Sequence, residues 1–186
     1  MNSRKKNLLE QKATDLWRRV PKGPPVLIDQ IATCIRAEIR YEPAEEGVSG
    51  MVWRSPEGAI IGVNSLHSKT RRRFTIAHEI GHLILHDDDD FHVHEGYALV
   101  GRRDDDASLG IYKKEVEANY FGAALLMPKE LLLHDVDVLR LRFDFESEDT
   151  IKAVARRYEV SSQALTIRLW EVFGISLSGV RPKSQS

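Results

Sequence analysis

The sequence predicts an α+β protein in which a small antiparallel sheet lies beside a buried, metal-binding helix, with a helical, helix-turn-helix-like region at the C-terminus. Three observations predict it. Thr75 to His86 is apolar nearly all round a helical repeat and carries His78 and His82 four residues apart, hence on one face. From Glu38 to Val63 the hydrophobic period changes to two. After Lys113 the helical period returns in successive runs that end near Trp170. The organisation read from this is a docking helix over 1–24, the metal-site domain over 25–133 and the C-terminal helical region over 134–186.

Composition narrows the function classes. Charged residues make up 30% of the chain but nearly cancel, at a formal net charge of -1, so there is no global attraction to nucleic acid or membrane and such contacts would need a local patch. A single cysteine, Cys34, excludes an internal disulfide, which makes a reducing cytoplasm the expected compartment. The basic start, Met1 to Lys6, is not followed by the apolar run of a signal peptide, and no stretch approaches the roughly 20 apolar residues of a membrane span.

In chain order, Leu8, Leu9, Ala13, Leu16, Trp17 and Val20 form one helical stripe, which Pro21, Gly23, Pro24 and Pro25 terminate. A short helix is expected over Asp29 to Ala37, buried through Ile31, Cys34 and Ile35, with Cys34 a core residue rather than a reactive thiol. Ile39 and Tyr41, Met51 to Trp53 and Ala59 to Val63 read as three strands of an antiparallel sheet, the last two joined by the turn Ser55-Pro56-Glu57-Gly58. The Val63-Asn64-Ser65 end is the candidate edge for holding an extended peptide by main-chain hydrogen bonds.

Ser68 or Thr70 can cap the next helix. Arg71, Arg72 and Arg73 in its first turn oppose the helix dipole, and a solvated charged face is the expected reading. His78 and His82 can grip one ion, while Glu79, beside the first histidine, can take a proton from the attacking water without ligating the metal. Gly81 costs about 1 kcal/mol relative to alanine inside a helix, so a closely packed neighbour is expected there. His86 extends the row, yet each four-residue step drifts by about 40°, so it reads as a hydrogen-bonded helix-end histidine and not a third ligand. Asp87 to about Leu109, with His92, His94, Glu95 and Asp104 to Asp106, reads as a long polar loop. On the helix from Lys113 to Met127, Glu115 supplies a third, carboxylate ligand, and Asn119, one turn on, an amide able to orient a ligand histidine. Glu117 competes for that role but lies about 200° round the helix, on the side read as facing solvent.

Arg73-Phe74-Thr75-Ile76-Ala77-His78-Glu79-Ile80-Gly81-His82, then Glu115-x-x-Ala118-Asn119-x-Phe121 and Leu125-Leu126-Met127-Pro128, resemble the ImmA/IrrE family of metallopeptidases. The resemblance covers about Pro25 to Pro128. It implies a zincin-like catalytic domain whose zinc ligands match His78, His82 and Glu115 and whose catalytic glutamate matches Glu79, in a family with members that cleave a DNA-binding repressor. Gly122 stands where alanine is common, and the acidic loop between the two helices is long.

The C-terminal run Ile151 to Trp170 resembles a helix-turn-helix, with Ser161 capping its second helix. From Thr150 to Ser186 six basic residues stand against Glu159 and Glu171, a net charge of +4. The second helix offers few groups for reading bases, mainly Gln163, Thr166 and Arg168, so a structural helix pair is preferred over DNA binding. Val180 to Ser186 reads as a frayed tail. Two function classes follow. One is a zinc endopeptidase that cuts a helix-turn-helix repressor, with Tyr112, Tyr120, His86 and His134 as candidate oxyanion helpers. The other is a DNA-binding or zinc-sensing regulator with a non-catalytic site. Glu79 favours the enzyme, because a structural zinc site closes with four ligands and has no use for a base there.

Overall fold

Asn2 opens the first helix, α1 (Ser3–Trp17), its Oδ1 accepting from the Lys5 amide at 2.9 Å. The computed structural model describes residues 1–45, 47–86, 91–95, 106–139 and 147–174. Leu9, Ala13, Leu16 and Trp17 form the buried stripe of α1, continued by Val20, whereas Leu8 lies off it and is exposed. Helix α2 (Ile28–Cys34) is shorter than expected: Arg36 adopts φ 57 and Ala37 already belongs to a strand. Its buried face runs through Ile28, Ile31 and Ala32. Cys34, about 200° round from Ala32, is exposed, which corrects its reading as a core residue.

The sheet has four strands, β1 (Ala37–Glu42), β2 (Val48–Ser55), β3 (Gly58–Asn64) and β4 (Phe91–Glu95), in the order β1-β3-β2-β4. Strands β2 and β3 form the expected antiparallel hairpin, but β1 runs parallel to β3, so the sheet is mixed and not antiparallel. Alternation with a period of two is the same for either direction, and here β3 threads between β1 and β2. That order also overturns the Val63-Asn64-Ser65 edge, since β3 is central. Asn64 is buried and pins the β1–β2 connection instead: its amide donates to the carbonyls of Ala44, Glu45 and Val48 at 3.1, 3.2 and 2.9 Å. Strand β4 lies where a loop was expected; Phe91 to Glu95 does alternate, but its partner β2 is some 40 residues away and invisible to a local reading. The expected loop residues 87–90 and 96–105 lie outside the described residues, as do the side chains of His92, His94 and Glu95 and the residues 180–186 read as a tail.

Helix α3 (Lys69–Leu85) is capped by Ser68, whose Oγ accepts from the Arg71 amide. Its first-turn arginines are not a solvated face. Arg71 donates to Ser49 Oγ at 2.9 Å, Arg72 to the Ser65 carbonyl at 3.3 Å and Arg73 to the Val26 carbonyl at 2.8 Å. Helix α4 (Asp106–Leu126) crosses α3 at close range. A Cβ on Gly81 would stand 3.1 Å from Ala118 Cα, and one on Gly122 would stand 3.1 Å from the His78 amide nitrogen. Ala118, Phe121, Leu125 and Leu126 are fully buried, and α1 covers the other side of α4.

Helices α5 (Lys129–Leu139), α6 (Glu148–Tyr158) and α7 (Ser162–Phe173) follow. Helices α6 and α7 are separated by three residues, with Glu159 in the left-handed region and Ser161 Oγ accepting from the Ala164 amide at 3.1 Å. Arg168 of α7 is wholly buried: it donates to both carboxylate oxygens of Glu10 on α1, one at 2.9 Å, and to the Met127 carbonyl at 3.1 Å. It therefore cannot read bases, and one of the three base-reading candidates falls away. Among the described residues no helix is long and apolar enough to cross a membrane.

Candidate metal centre

The α3–α4 crossing that the two glycines permit is what brings the donors together. Every residue of α3 from Thr75 to Leu83 is buried, so the two histidines are presented to α4 and not to water. His78 Nε2 and His82 Nε2 lie 3.0 Å apart. The Glu115 carboxylate of α4 reaches both, at 3.3 Å from His78 Nε2 and 3.1 Å from His82 Nε2. The three ligand atoms all lie within 4.8 Å of one another. Asn119 Oδ1 stands 2.9 Å from His78 Nδ1. A proton on Nδ1 then satisfies the amide and leaves the Nε2 lone pair for the cluster, the arrangement by which an outer partner orients a ligand histidine.

Glu79 is 0% exposed, and neither carboxylate oxygen has a hydrogen-bond partner among the described residues. Burial, with the negative charge of Glu115 added, raises its proton affinity far above the usual carboxylate range. An isolated buried carboxyl is costly unless something polar meets it. Two imidazole nitrogens and a carboxylate within reach of one another, with the orphaned Glu79 next in sequence to His78, fit a divalent ion of zinc's ligand preference.

The remaining sequence-predicted residues separate. Glu117 is buried, not solvent-facing as expected, because α1 covers that side of α4; its carboxylate pairs with Lys5 at 2.8 Å, away from the cluster. His86 caps α3, with Nε2 3.2 Å from the Lys114 carbonyl, and burial lowers its proton affinity. Tyr120 donates to Glu10 Oε1 at 2.9 Å on the α1 side. His134 is exposed on α5, 3.6 Å from the Asp135 carboxylate. Tyr112 is exposed one turn before Glu115, so among the four oxyanion candidates it alone combines that position with an accessible ring.

Two features went unread in the sequence. Arg54 of β2 donates to the carbonyls of His82, Leu83 and His86 at 3.1, 3.1 and 2.5 Å, holding the C-terminal end of α3 with a favourable charge. Gly50 of β2 lies directly against Glu79. Gly50 lies just outside the strand expected over Met51 to Trp53, and only with β2 extended to Val48 does it become a glycine inside a strand, which marks a bulge or a close approach.

The profile of the IrrE N-terminal-like domain matches residues 33–169. The radiation response metalloprotease IrrE of Deinococcus radiodurans is 31% identical over 146 residues, 72% of this chain and 40% of that protein. Its counterpart in Deinococcus deserti is 36% identical over 118 residues, 62% of this chain and 37% of that protein. The chain thus spans about two fifths of the length of these curated relatives. A solved Mycobacterium tuberculosis transcriptional regulator shares the fold, with a TM-score of 0.61 and 17% identity over 97% of this chain and 49% of that one. With the profile spanning most of the chain and the His78, His82 and Glu115 cluster inside it, the chain belongs to the ImmA/IrrE family through its IrrE N-terminal-like domain.

Proposed function

We propose that this chain is a zinc-dependent endopeptidase that makes a specific cut in a helix-turn-helix transcriptional repressor. The observation that carries the peptidase reading is Glu79, a buried carboxylate with no hydrogen-bond partner among the described residues, next in sequence to His78 of the three-donor cluster. His78, His82 and Glu115 would hold the ion, with Asn119 fixing the first histidine. Bound zinc would supply a Lewis acid for the scissile carbonyl and lower the pKa of water to about 7. Glu79 takes the proton from the attacking water and passes it to the leaving amine. Tyr112 is the side chain proposed to steady the developing oxyanion.

The donor cluster is deeply buried, which suits a narrow choice of substrate. The curated relatives are named for a radiation response and not for digestion. The family resemblance points to a DNA-binding repressor as the class of target. The burial of Arg168 weighs against DNA contact by this chain itself.

The test incubates zinc-loaded protein with a candidate helix-turn-helix repressor from the same organism and with casein, following both by mass spectrometry. Wild type should cut the repressor once, and Glu79→Gln should retain zinc and cut nothing. Rapid degradation of casein with the repressor intact would overturn the regulatory reading. No cleavage of either by the zinc-loaded wild type would overturn the peptidase reading.

A further inference from the structure

A regular strand sends residues 50, 52 and 54 to one face and residue 49 to the other. Strand β2 breaks this rule. Its pairing with β4 slips between Val48 and Gly50, which inserts Ser49 as an extra residue. Ser49 and Gly50 are consequently both buried, facing α3. Ser49 Oγ accepts from Arg71 Nη2 at 2.9 Å. A Cβ on Gly50 would stand 2.4 Å from Thr75 Cγ2 and 3.1 Å from both Glu79 Oε1 and the Gly62 carbonyl oxygen. Gly50 is not among the glycines with positive φ, so lack of room is what excludes a side chain there. At the far end of the strand, Arg54 holds the last carbonyls of α3.

Arg71, Thr75 and Glu79 recur every four residues and form one row on α3. The strand is thus fastened to the helix at both ends and bears on this row in between. We propose, resting on the reading of Glu79 as the general base, that the Ser49–Gly50 bulge is the device that positions the Glu79 carboxylate. Bare backbone at residue 50 lets the strand close onto the helix and sets how far the carboxylate can swing away from the metal donors. Gly50 is a positioning residue: it bears on Thr75 and Glu79 and is not one of the metal donors.

The test compares wild type, Gly50→Ala, Thr75→Ser and the double variant Gly50→Ala/Thr75→Ser, since serine removes the methyl that the new Cβ would strike. Zinc is measured by elemental analysis, kcat and KM on the same candidate repressor, and stability by thermal unfolding. Gly50→Ala should keep one zinc and lose about 100-fold in kcat, the scale of a 1 Å misplacement, with KM nearly unchanged. The double variant should recover a large part of that loss, and it carries the test if Gly50→Ala alone does not fold. The readout free of activity is coupling: the loss of Tm caused by Gly50→Ala should shrink in a Glu79→Ala background, where the contact is gone. Full kcat in zinc-loaded Gly50→Ala, loss of zinc in step with activity, or strictly additive Tm changes would each overturn the proposal. A wild type that cleaves nothing would defeat the peptidase reading, while the Tm coupling would still decide whether Gly50 sets the Glu79 side chain.

Discussion

Glu115 and Glu117 stand two residues apart on one helix, and burial does not separate them, at 6% and 5% exposed. Their partners do. Glu115 faces His78 and His82, while Glu117 is paired with Lys5. The helical spacing of the sequence distinguished the two faces but assigned Glu117 to solvent, because what covers it is α1, more than 100 residues away in the chain and outside the periodicity of α4 itself. The expected outcome is that Glu115→Ala loses zinc outright. Asn119→Ala should weaken zinc binding by about 10- to 100-fold, the usual cost of removing the partner that orients a ligand. Glu117→Ala should keep full zinc, since Glu117 is paired with Lys5 and is not one of the metal donors. Zinc titration with a competing chelator checks all three. Loss of zinc in Glu117→Ala with retention in Glu115→Ala would reverse the assignment.

At the scale of elements, the site exists because α3 and α4 approach closely enough for a ligand from each to share one ion. Gly81 announced a close neighbour in the sequence by its cost inside a helix. Gly122 showed only as a departure from the family pattern, and the structure supplies its reason: it sits over the backbone of Ala77 and His78. The direction of β1 and the existence of β4 were not legible, since both depend on pairing between distant strands, which a local period of two cannot encode. Gly122→Ala sets a gain in helix propensity of about 1 kcal/mol against overpacking of about 1–3 kcal/mol on unyielding backbone. The net expectation is a less stable protein with weaker zinc binding, because widening the crossing moves Glu115 away from His78 and His82. Chemical denaturation with and without added zinc measures both effects. A variant as stable as wild type with unchanged zinc affinity would show that the crossing has slack.

Across the whole molecule, a buried ion pair joins the first helix to the last described one. Arg168 was read from sequence as a cation available to nucleic acid, because a charge on an apolar helix is ordinarily a surface charge. Its burial depends on Glu10, some 160 residues earlier, which no local pattern reveals. Burial pushes the Glu10 carboxyl up, but the hydrogen bonds and charge of Arg168, with a hydrogen bond from Tyr120, more than offset this and hold it below its ordinary value. The sign follows from linkage: a carboxyl whose folded pKa is depressed contributes stability that is fully present above its unfolded value of about 4.3 and is lost as pH falls through the folded one. Glu10→Gln leaves the guanidinium buried without its counter-charge, at a cost of about 3–5 kcal/mol near neutral pH. The gap in stability between wild type and Glu10→Gln should therefore be constant from pH 7 to about 5 and close progressively below about 4.3, as wild-type Glu10 takes up its proton. Urea unfolding at pH 7, 5, 4 and 3 follows that gap, and a gap of the same size at pH 3 as at pH 7 would show that the pair does not hold α7 to α1 by charge.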